Sequence, residues 1–492
     1  MDLRLGISTK QPTGLWFLAV AFALLSFGFG VVNSLFVLYA TIVLDFTPTQ
    51  AYTLYGAFAS FIYILPLYGG KIADWFGYQK GFVLGVLLEL LAIYLISIPS
   101  KEAVFLGLAL LVTGTAVNVP SFLVLLGKMY KKEDIRRQSG FTIYYMIMNL
   151  GYLIAMVAGG YEMKLLNFQD AFLIADLIAA TSLIIFFIGI KFTTPDPSRD
   201  ITPKFQWHPL WQITGLVLMT LLPFPVIFGL LKVASLSNEL VLIVGILVII
   251  GIYILAFYQK TKEARYKLVA FSTLCVISIG FWSLYMLEPS LLTIFVENNV
   301  NRSLFGQTIP TPIFYALDPL FIILIGVLFS VLWLYLRKRN KDPSLPTKFS
   351  LSLFVMSSGF FLLVLAIALT SGKLNMGWIV AAYVFFAAAE LLISPIGMSM
   401  VGQLSPEGME GFLMGVWQVF SGVSAAISAY LAKMATTPSA GSVAVTNPIY
   451  SMAFIKIGAF SLGLGIISTF FIPFIKKRIS SEYKSRDSHP VR

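Results

Sequence analysis

Five acidic side chains interrupt long apolar stretches of this sequence of 492 residues. If such stretches cross a membrane, a charged side chain near the bilayer centre costs roughly 2.5–3.5 kcal/mol on insertion scales, so each acid is expected to face a polar cavity or a partner. Carboxyl groups in that setting can hold a cationic solute or carry a proton. The five are Glu89, Asp176, Glu288, Asp318 and Glu390.

Glu390 has the clearest chemical setting of the five. Ser394 follows four residues later, so the acid and the hydroxyl share one face of a helix, and Pro395 weakens the backbone beside them. We therefore predict that Glu390 binds the ammonium group of a substrate, with Ser394 at the same site. The alternative is a protonated glutamate that is hydrogen-bonded inside a helical bundle.

Asp318 is the second candidate. Pro319 follows it, and because proline lacks a backbone N–H group, the helix opens locally at this point. The carboxyl group can bind a cation or exchange a proton there, and a cap that bends the helix is the alternative. Glu288 is the third candidate for proton coupling, after Glu390 and Asp318.

Composition indicates which elements must position these acids. Hydrophobic residues make up 58% of the chain and charged residues 12%, and the mean hydropathy of +0.86 lies far outside the soluble range. Unbroken apolar runs longer than the roughly 20 residues of a membrane-crossing helix recur throughout, which indicates helices rather than barrel strands. The sequence predicts an all-α membrane protein with fourteen spans, near residues 14–44, 50–72, 77–98, 102–127, 138–162, 167–191, 209–231, 237–258, 268–296, 310–336, 349–371, 376–403, 409–432 and 447–475.

Charge predicts the orientation of these spans. Most of the 34 lysines and arginines fall in loops on one side, which predicts a cytoplasmic (inner) membrane protein with both termini in the cytoplasm. The net charge of +11 is then explained by this topology and by contact with anionic membrane lipid. Nucleic acid is not an expected partner, because the sequence contains no basic soluble domain.

The sequence lacks the clusters that most enzymes and metal sites need. Its single cysteine, Cys275, lies in an apolar run, and its two histidines, His208 and His489, lie in loops. It contains no H-E-x-x-H, no paired C-x-x-C, no Walker loop and no G-x-S-x-G. We therefore expect no enzymatic activity, no cofactor, no metal site and no ATP-driven pumping.

A charged turn between the second and third spans carries the first family resemblance. Residues 69–78 read GGKIADWFGY, and the G-x-x-A-D-x-x-G pattern of Gly70, Asp74 and Gly77 resembles the signature of the major facilitator superfamily. The resemblance implies two six-helix bundles around a central cavity, with Asp74 as a gating latch against the N-terminus of helix eleven. Ser405 is the expected N-cap of that helix, with Pro406 at its first position. A plain glycine turn with a solvated aspartate is the alternative.

Further motifs resemble one branch of that superfamily, the proton-dependent oligopeptide transporters. They occur in the family's order and are FTIYYMIMNLG, FWSLY, FYALDPLFIILIGVLFSVLW and AELLISPIGMSMVGQLSP. The resemblance implies two extra helices between the bundles. It predicts an N-terminal six-helix bundle over 1–192, a linker with the extra helices over 193–265, a C-terminal six-helix bundle over 266–476 and a basic cytoplasmic tail over 477–492.

The resemblance also implies roles for single residues. It places Glu390 at the amino terminus of a bound peptide and Asn149 at a peptide bond, although an interhelical contact would explain Asn149 equally well. Trp282 and Trp417 map onto tryptophans that line side-chain pockets, with a lipid-facing position or core packing as the alternative. Asp318 occupies a position where the family has asparagine.

The chain departs from the family pattern in helix one. The positions of the E-x-x-E-R-F motif hold Phe22, Leu25 and Ser26 followed by Phe27, and Val119 replaces the lysine before the proline of helix four. Loss of both charged groups is coherent, because removing one member of a buried ion pair costs several kcal/mol whereas replacing both can be nearly neutral.

A further departure concerns helix seven. The family's glutamate falls on Met286, and Glu288 lies two residues further, about 200° around a regular helix, so we do not expect Glu288 to take over that position. Glu89 has no polar neighbours at helical spacing. We expect structural or snorkelling roles for Glu89, Asp176 and Lys456.

These observations predict a monomeric secondary carrier that works by alternating access. Small peptides, of two or three residues, are the leading substrate class, with protons as the coupled ion. Any proton coupling is expected to run through Glu390 and Asp318, not through helix one. The alternative is a carrier or exporter of another cationic or zwitterionic small solute without the usual proton coupling; a membrane receptor or scaffold on the same fold is a third hypothesis.

Overall fold

The computed structural model describes residues 10–130, 134, 136–192, 208–406, 409–436 and 441–486. Within them, 13 helices are long and apolar enough to cross a membrane, and a shorter apolar helix, Met376–Leu391, is the fourteenth. The predicted all-α membrane architecture with fourteen helices is therefore confirmed. The helices follow the apolar runs closely because each run can satisfy all its backbone hydrogen bonds internally only as a helix.

The chain forms two compact units, and the first falls within Met1–Tyr39 and Leu65–Lys232. Its helices are α1 (Thr13–Ile42), α3 (Pro66–Phe76), α4 (Tyr78–Ser97), α5 (Lys101–Lys128), α6 (Arg136–Leu165), α7 (Phe168–Ile190), α8 (Pro209–Leu221) and α9 (Phe224–Lys232). Helix α1 continues beyond this unit, and α2 belongs to the second unit.

The second unit falls within Ala40–Ile64 and Val233–Arg492. Its helices are α2 (Pro48–Ile64), α10 (Ala234–Phe257), α11 (Lys262–Tyr285), α12 (Thr293–Asn299), α13 (Pro312–Tyr315), α14 (Leu317–Lys338), α15 (Leu345–Ala368), α16 (Met376–Leu391), α17 (Ser394–Leu404), α18 (Glu410–Ala432) and α19 (Val443–Arg486). This grouping differs in outline from the predicted segments 1–192, 193–265, 266–476 and 477–492, which remain a prediction.

Four two-residue strands complete the second unit. Val300–Asn301 (β1) pairs in parallel with Leu374–Asn375 (β4). Ser303–Leu304 (β2) and Gln307–Thr308 (β3) form an antiparallel hairpin. Its turn residues Phe305 and Gly306 both have positive φ, as a tight two-residue hairpin requires.

Glycine brings helix backbones close together in the first unit. A Cβ atom at Gly85 would lie 2.6 Å from the carbonyl oxygen of Gly114, so α4 and α5 pack with almost no side chain between them. Gly69 of α3 meets α5 in the same way, at the carbonyl group of Ala116. Small residues stabilise membrane helix pairs because close backbones gain van der Waals contact that lipid cannot replace.

Polar side chains join helices in the second unit. Ser60 of α2 donates from Oγ to the carbonyl oxygen of Gly422 in α18 at 2.8 Å. Asn238 of α10 donates from Nδ2 to the carbonyl oxygen of Thr53 in α2 at 3.0 Å. Such bonds hold α2, α10 and α18 together without large apolar side chains at the points of contact.

Five of the predicted spans are not continuous helices. Two of them, over 50–72 and 209–231, are divided between α2 and α3 and between α8 and α9, and the other three lie in the second unit. The span over 268–296 contains a π-turn at Glu288–Leu292, and the span over 310–336 begins with the four-residue α13 before α14. The span over 376–403 consists of α16 and α17, with a break at residues 392–393. Hydropathy alone does not reveal such breaks, because the residues around them remain apolar.

The close contact of α3 with α5 generates a stability prediction. We expect Gly69→Ala to lower the thermal stability of the purified protein by about 1–3 kcal/mol, because the added methyl group overlaps the Ala116 carbonyl. Gly70→Ala is the matched control: its Cβ would lie 3.6 Å from Pro120, an ordinary contact. Thermal unfolding in detergent measures both, and equal melting temperatures for the two variants would contradict the packing described here.

Candidate functional site

The three helix breaks of the second unit share one chemical pattern, in which a proline restarts the helix. Pro289 lies at the start of the π-turn, and Pro319 and Pro395 lie in the first turns of α14 and α17. Proline is tolerated there because its missing N–H would have had no intrahelical partner, whereas inside a helix it would remove a hydrogen bond. The local sequence therefore causes each break.

Each break also carries a buried acid. Glu288 is the first residue of the π-turn, Asp318 lies in the first turn of α14, and Glu390 lies in the last turn of α16. Their side chains are 1%, 2% and 6% exposed, respectively. Three carboxyl groups from distant parts of the sequence are thus enclosed within one unit.

Hydrogen bonds connect two of these acids. Tyr285 donates from its hydroxyl group to Asp318 Oδ2 at 3.1 Å. The carboxyl groups of Asp318 and Glu390 lie within hydrogen-bonding reach of each other, and the Ser394 hydroxyl contacts Glu390. A hydrogen bond between two carboxyl groups requires a proton on one of them.

Glu288 belongs to the same cluster, which we call the acid cluster: Glu288, Asp318 and Glu390. It lies close enough to interact electrostatically with both other acids. Glu288 would point about 200° away from Met286 only on a regular helix. The helix is not regular here, because it ends at Tyr285 and is followed by the π-turn.

Aromatic side chains surround the acid cluster. Tyr285, Tyr315 and Tyr383 all lie within electrostatic range of Asp318 and Glu288. The ring of Trp282 packs edge-on against Tyr285, with centroids 5.3 Å apart. This packing places the Trp282 ring next to Tyr285, which donates to Asp318. The predicted role of Trp282 at a substrate pocket remains a prediction.

Trp417 of α18 is 6% exposed and lies against α17. A Cβ atom at Gly397 would approach the Trp417 ring to 2.6 Å, so the glycine makes room for the indole. This contact fits the core-packing alternative for Trp417. Its predicted role in a side-chain pocket remains a prediction.

Asn149 lies in the first unit, on α6, outside the acid cluster. Its Nδ2 donates to the carbonyl oxygen of Tyr145 at 2.8 Å, one turn earlier in the same helix. The amide is half-buried, so the local bond leaves its carbonyl oxygen available to another partner. Its predicted contact with a peptide bond is untested.

The predicted gating turn is also in the first unit. Asp74 Oδ1 accepts a hydrogen bond of 2.5 Å from the Tyr78 hydroxyl, and the Lys128 ammonium group lies 4.3 Å from the centre of the Tyr78 ring. Gly77 has φ of 104°, a conformation that favours glycine, whereas Gly70 sits within α3. The latch assigned to these three residues stays a prediction.

One part of the latch prediction needs correction. Ser405 is not the N-cap of helix eleven but the residue that ends α17, where its hydroxyl bonds back to the Val401 carbonyl oxygen at 2.5 Å. The helix begins only at Glu410, after Met409. Pro406 therefore lies in the connection, and residues 407–408 fall outside the described part of the chain.

A second buried acid network was missed in the first unit. Glu89 Oε1 accepts a hydrogen bond of 2.5 Å from the Thr115 hydroxyl, and the Asn118 amide lies beside it. These partners come from α5, so spacing along α4 alone gave no sign of them. Their contacts support the structural role expected for Glu89.

Among the described residues, no three acids, histidines or cysteines are close enough to share a metal ion. The chemistry of the acid cluster suits protons and organic cations.

Comparison with known sequences identifies the family. A model of the POT family matches residues 78–447. The chain belongs to the POT family. The members of this family, the proton-dependent oligopeptide transporters, are multi-pass membrane transporters. The motifs of the sequence predicted this family.

Relatives of the chain match most of its length. A dipeptide and tripeptide permease B from Aliivibrio fischeri is 28% identical over 464 residues, which is 92% of each chain. A peptide transporter from Yersinia enterocolitica is 30% identical over 391 residues, 75% of this chain and 76% of the relative. A crystal structure of a POT peptide transporter with sulfate superposes with a TM-score of 0.83 at 25% identity, covering 95% of this chain and 96% of the other. The predicted major facilitator fold is thereby confirmed.

The crowded acids generate a second prediction. We expect Asp318→Asn to raise thermal stability by about 1 kcal/mol, because the amide keeps an acceptor for Tyr285 and removes one ionisable group beside two others. Glu89→Gln is the control, since Glu89 has a hydroxyl partner and no place in the acid cluster. A lower melting temperature for Asp318→Asn than for the unmutated protein would show that the aspartate stabilises the fold.

Proposed function

We propose that the chain is a secondary transporter of small peptides, of two or three residues, across the cytoplasmic membrane. One observation carries the proposal: three buried carboxyl groups and a set of tyrosines gather at helix breaks within one unit of a chain of membrane-spanning helices. Substrate sites of secondary transporters are typically formed by such interrupted helices. The names of these relatives, which are a peptide permease and a peptide transporter, supply the substrate class.

In this proposal Glu390 holds the amino terminus of the peptide. A carboxylate that meets an ammonium group forms a charge-assisted hydrogen bond, roughly twice as strong as a neutral one. Ser394 and Trp282 adjoin the same end of the substrate. Asn149 and Trp417 are proposed to contact the peptide bond and a side chain, respectively.

Protons drive accumulation in the same proposal. A proton that enters down about 100 mV supplies roughly 2.3 kcal/mol, enough for about 50-fold accumulation of the substrate. The acid cluster takes the place of the missing helix-one acids, because Phe22, Leu25 and Ser26 cannot titrate near neutral pH. Asp318 and Glu390 share a proton, and Glu288 is the third group in reach.

The remaining parts of the proposal concern setting. Both termini face the cytoplasm, the basic loops contact anionic lipid, and the protein works as a monomer. The turn around Gly70, Asp74 and Gly77 closes the cytoplasmic side during alternating access.

A second candidate function has one observation in its favour. Asp318 is an acid that adjoins Glu390 directly, so the site is more acidic than one acid and one amide would make it. A carrier of another cationic or zwitterionic small solute would use the same two carboxyl groups without needing a peptide bond.

The amino-terminal contact is testable with blocked substrates. We expect the unmutated protein in vesicles to take up a free dipeptide at least tenfold better than its N-acetylated form. Glu390→Gln is expected to erase most of that difference, because an amide cannot offer a full negative charge to an ammonium group. Equal uptake of free and acetylated dipeptide by the unmutated protein would remove Glu390 from this role.

Proton coupling is testable by separating uphill uptake from exchange. We expect Asp318→Asn combined with Glu390→Gln to abolish dipeptide accumulation driven by a proton gradient. Glu288→Gln is expected to reduce accumulation more than it reduces exchange of labelled for unlabelled dipeptide, since exchange needs no net proton movement. Accumulation that persists in the double variant and in Glu288→Gln would place the coupling outside the acid cluster.

A further inference from the structure

Glu288 remains available to a second group of the substrate when the amino terminus is bound at Glu390. Its side chain is 1% exposed, and neither carboxyl oxygen has a hydrogen-bond partner among the described residues. One oxygen each of Asp318 and Glu390 is likewise without a partner there. A buried carboxyl group without partners carries a large desolvation cost, which a ligand can relieve.

Three basic side chains of the described second unit pair with other acids. Lys267 binds Glu263 at 3.0 Å. Arg302 binds Glu297 at 2.6 Å, and Lys348 binds Asp342 at 2.8 Å. No ion pair joins a described lysine or arginine of this unit to Glu288, Asp318 or Glu390. We therefore expect the positive partner of Glu288 to be a group of the ligand and not a side chain of this unit.

The shape of the cluster indicates the kind of cation. Glu288 lies near enough to interact with both other acids. Tyr285, Tyr315 and Tyr383 add aromatic faces and hydroxyl oxygens beside them. Aromatic faces attract organic ammonium and guanidinium groups. This arrangement suits two organic cationic groups held a short distance apart.

We infer that the site prefers substrates with two cationic groups: short peptides whose first residue has a basic side chain beside the free amino terminus. The amino terminus meets Glu390 and Asp318, and the basic side chain meets Glu288. The inference rests on the proposed peptide transport and narrows its substrate class. The second positive charge takes the place of one proton in the acid cluster, so the total charge of the filled site stays the same.

Competition binding to the purified, full-length protein tests the preference. Lysylalanine and alanylalanine each displace a labelled dipeptide at one pH, and we expect lysylalanine to do so at about tenfold lower concentration. Glu288→Gln is expected to bring the two concentrations within about threefold of each other. Glu89→Gln, which neutralises a buried acid of the first unit held by Thr115, is expected to keep the tenfold preference.

The outcomes separate the inference from the proposed function. If alanylalanine is bound and transported and competes as well as lysylalanine, the inference is overturned while peptide transport stands. A tenfold preference that survives Glu288→Gln also overturns it, since the second charge then binds elsewhere. If neither peptide binds, the proposed function fails and the inference fails with it. Should Glu288→Gln not fold, Glu288→Asp is expected to weaken the preference by severalfold, and an unchanged preference there overturns the assignment.

Discussion

The cost of burying carboxyl groups away from water is the constraint on which the second unit depends. An acid inside a membrane protein must be neutral, paired or offered to a ligand, because an isolated charge in a low-dielectric interior is too costly to keep. Here three acids lie together, so they cannot all be charged at once without a cation. The site can therefore be stable with protons bound or with a cationic substrate bound, and this exchange would be the physical basis of the proposed coupling.

The helix breaks make such a cluster tolerable. Each acid sits where a proline interrupts the helix, and at the π-turn nearby hydroxyl groups satisfy the freed backbone. Ser290 donates from Oγ to the Met286 carbonyl oxygen at 2.9 Å, and Thr293 donates to the Glu288 carbonyl oxygen at 2.9 Å. Unwound backbone is acceptable at membrane depth only where protein or a cavity supplies such partners. The same breaks give the acids a geometry that regular helices could not.

Much of the fold was predictable because it depends on local information. Hydropathy located the fourteen helices. The prediction that Glu390 and Ser394 share one face of a helix assumed a continuous helix, but the helix is interrupted between them at residues 392–393. The Ser394 hydroxyl nevertheless lies beside Glu390. The start of helix eleven at Glu410 rather than at Pro406 could not be predicted from capping residues alone, since Ser405 ends the preceding helix instead.

The convergence of the acids could not be predicted from periodicity. Glu288, Asp318 and Glu390 lie on different helices, and only tertiary packing brings them together. A usable signal was nevertheless present: Glu288 precedes Pro289 as Asp318 precedes Pro319, so the same acid and proline pair marks two of the breaks. Treating helix seven as regular hid the significance of the first pair. The partners of Glu89 on α5 were hidden for the same reason, because spacing along one helix says nothing of its neighbours.

In the proposed mechanism, a cationic substrate displaces protons from the acid cluster. Proton release on binding measures it directly, with purified protein in weakly buffered detergent solution near neutral pH and a pH-sensitive dye as the reporter. The account predicts that adding a dipeptide with a free amino terminus releases protons into solution, and that its N-acetylated form releases none. Dipeptide binding without any proton release, in a protein whose binding is confirmed in the same sample, would contradict it.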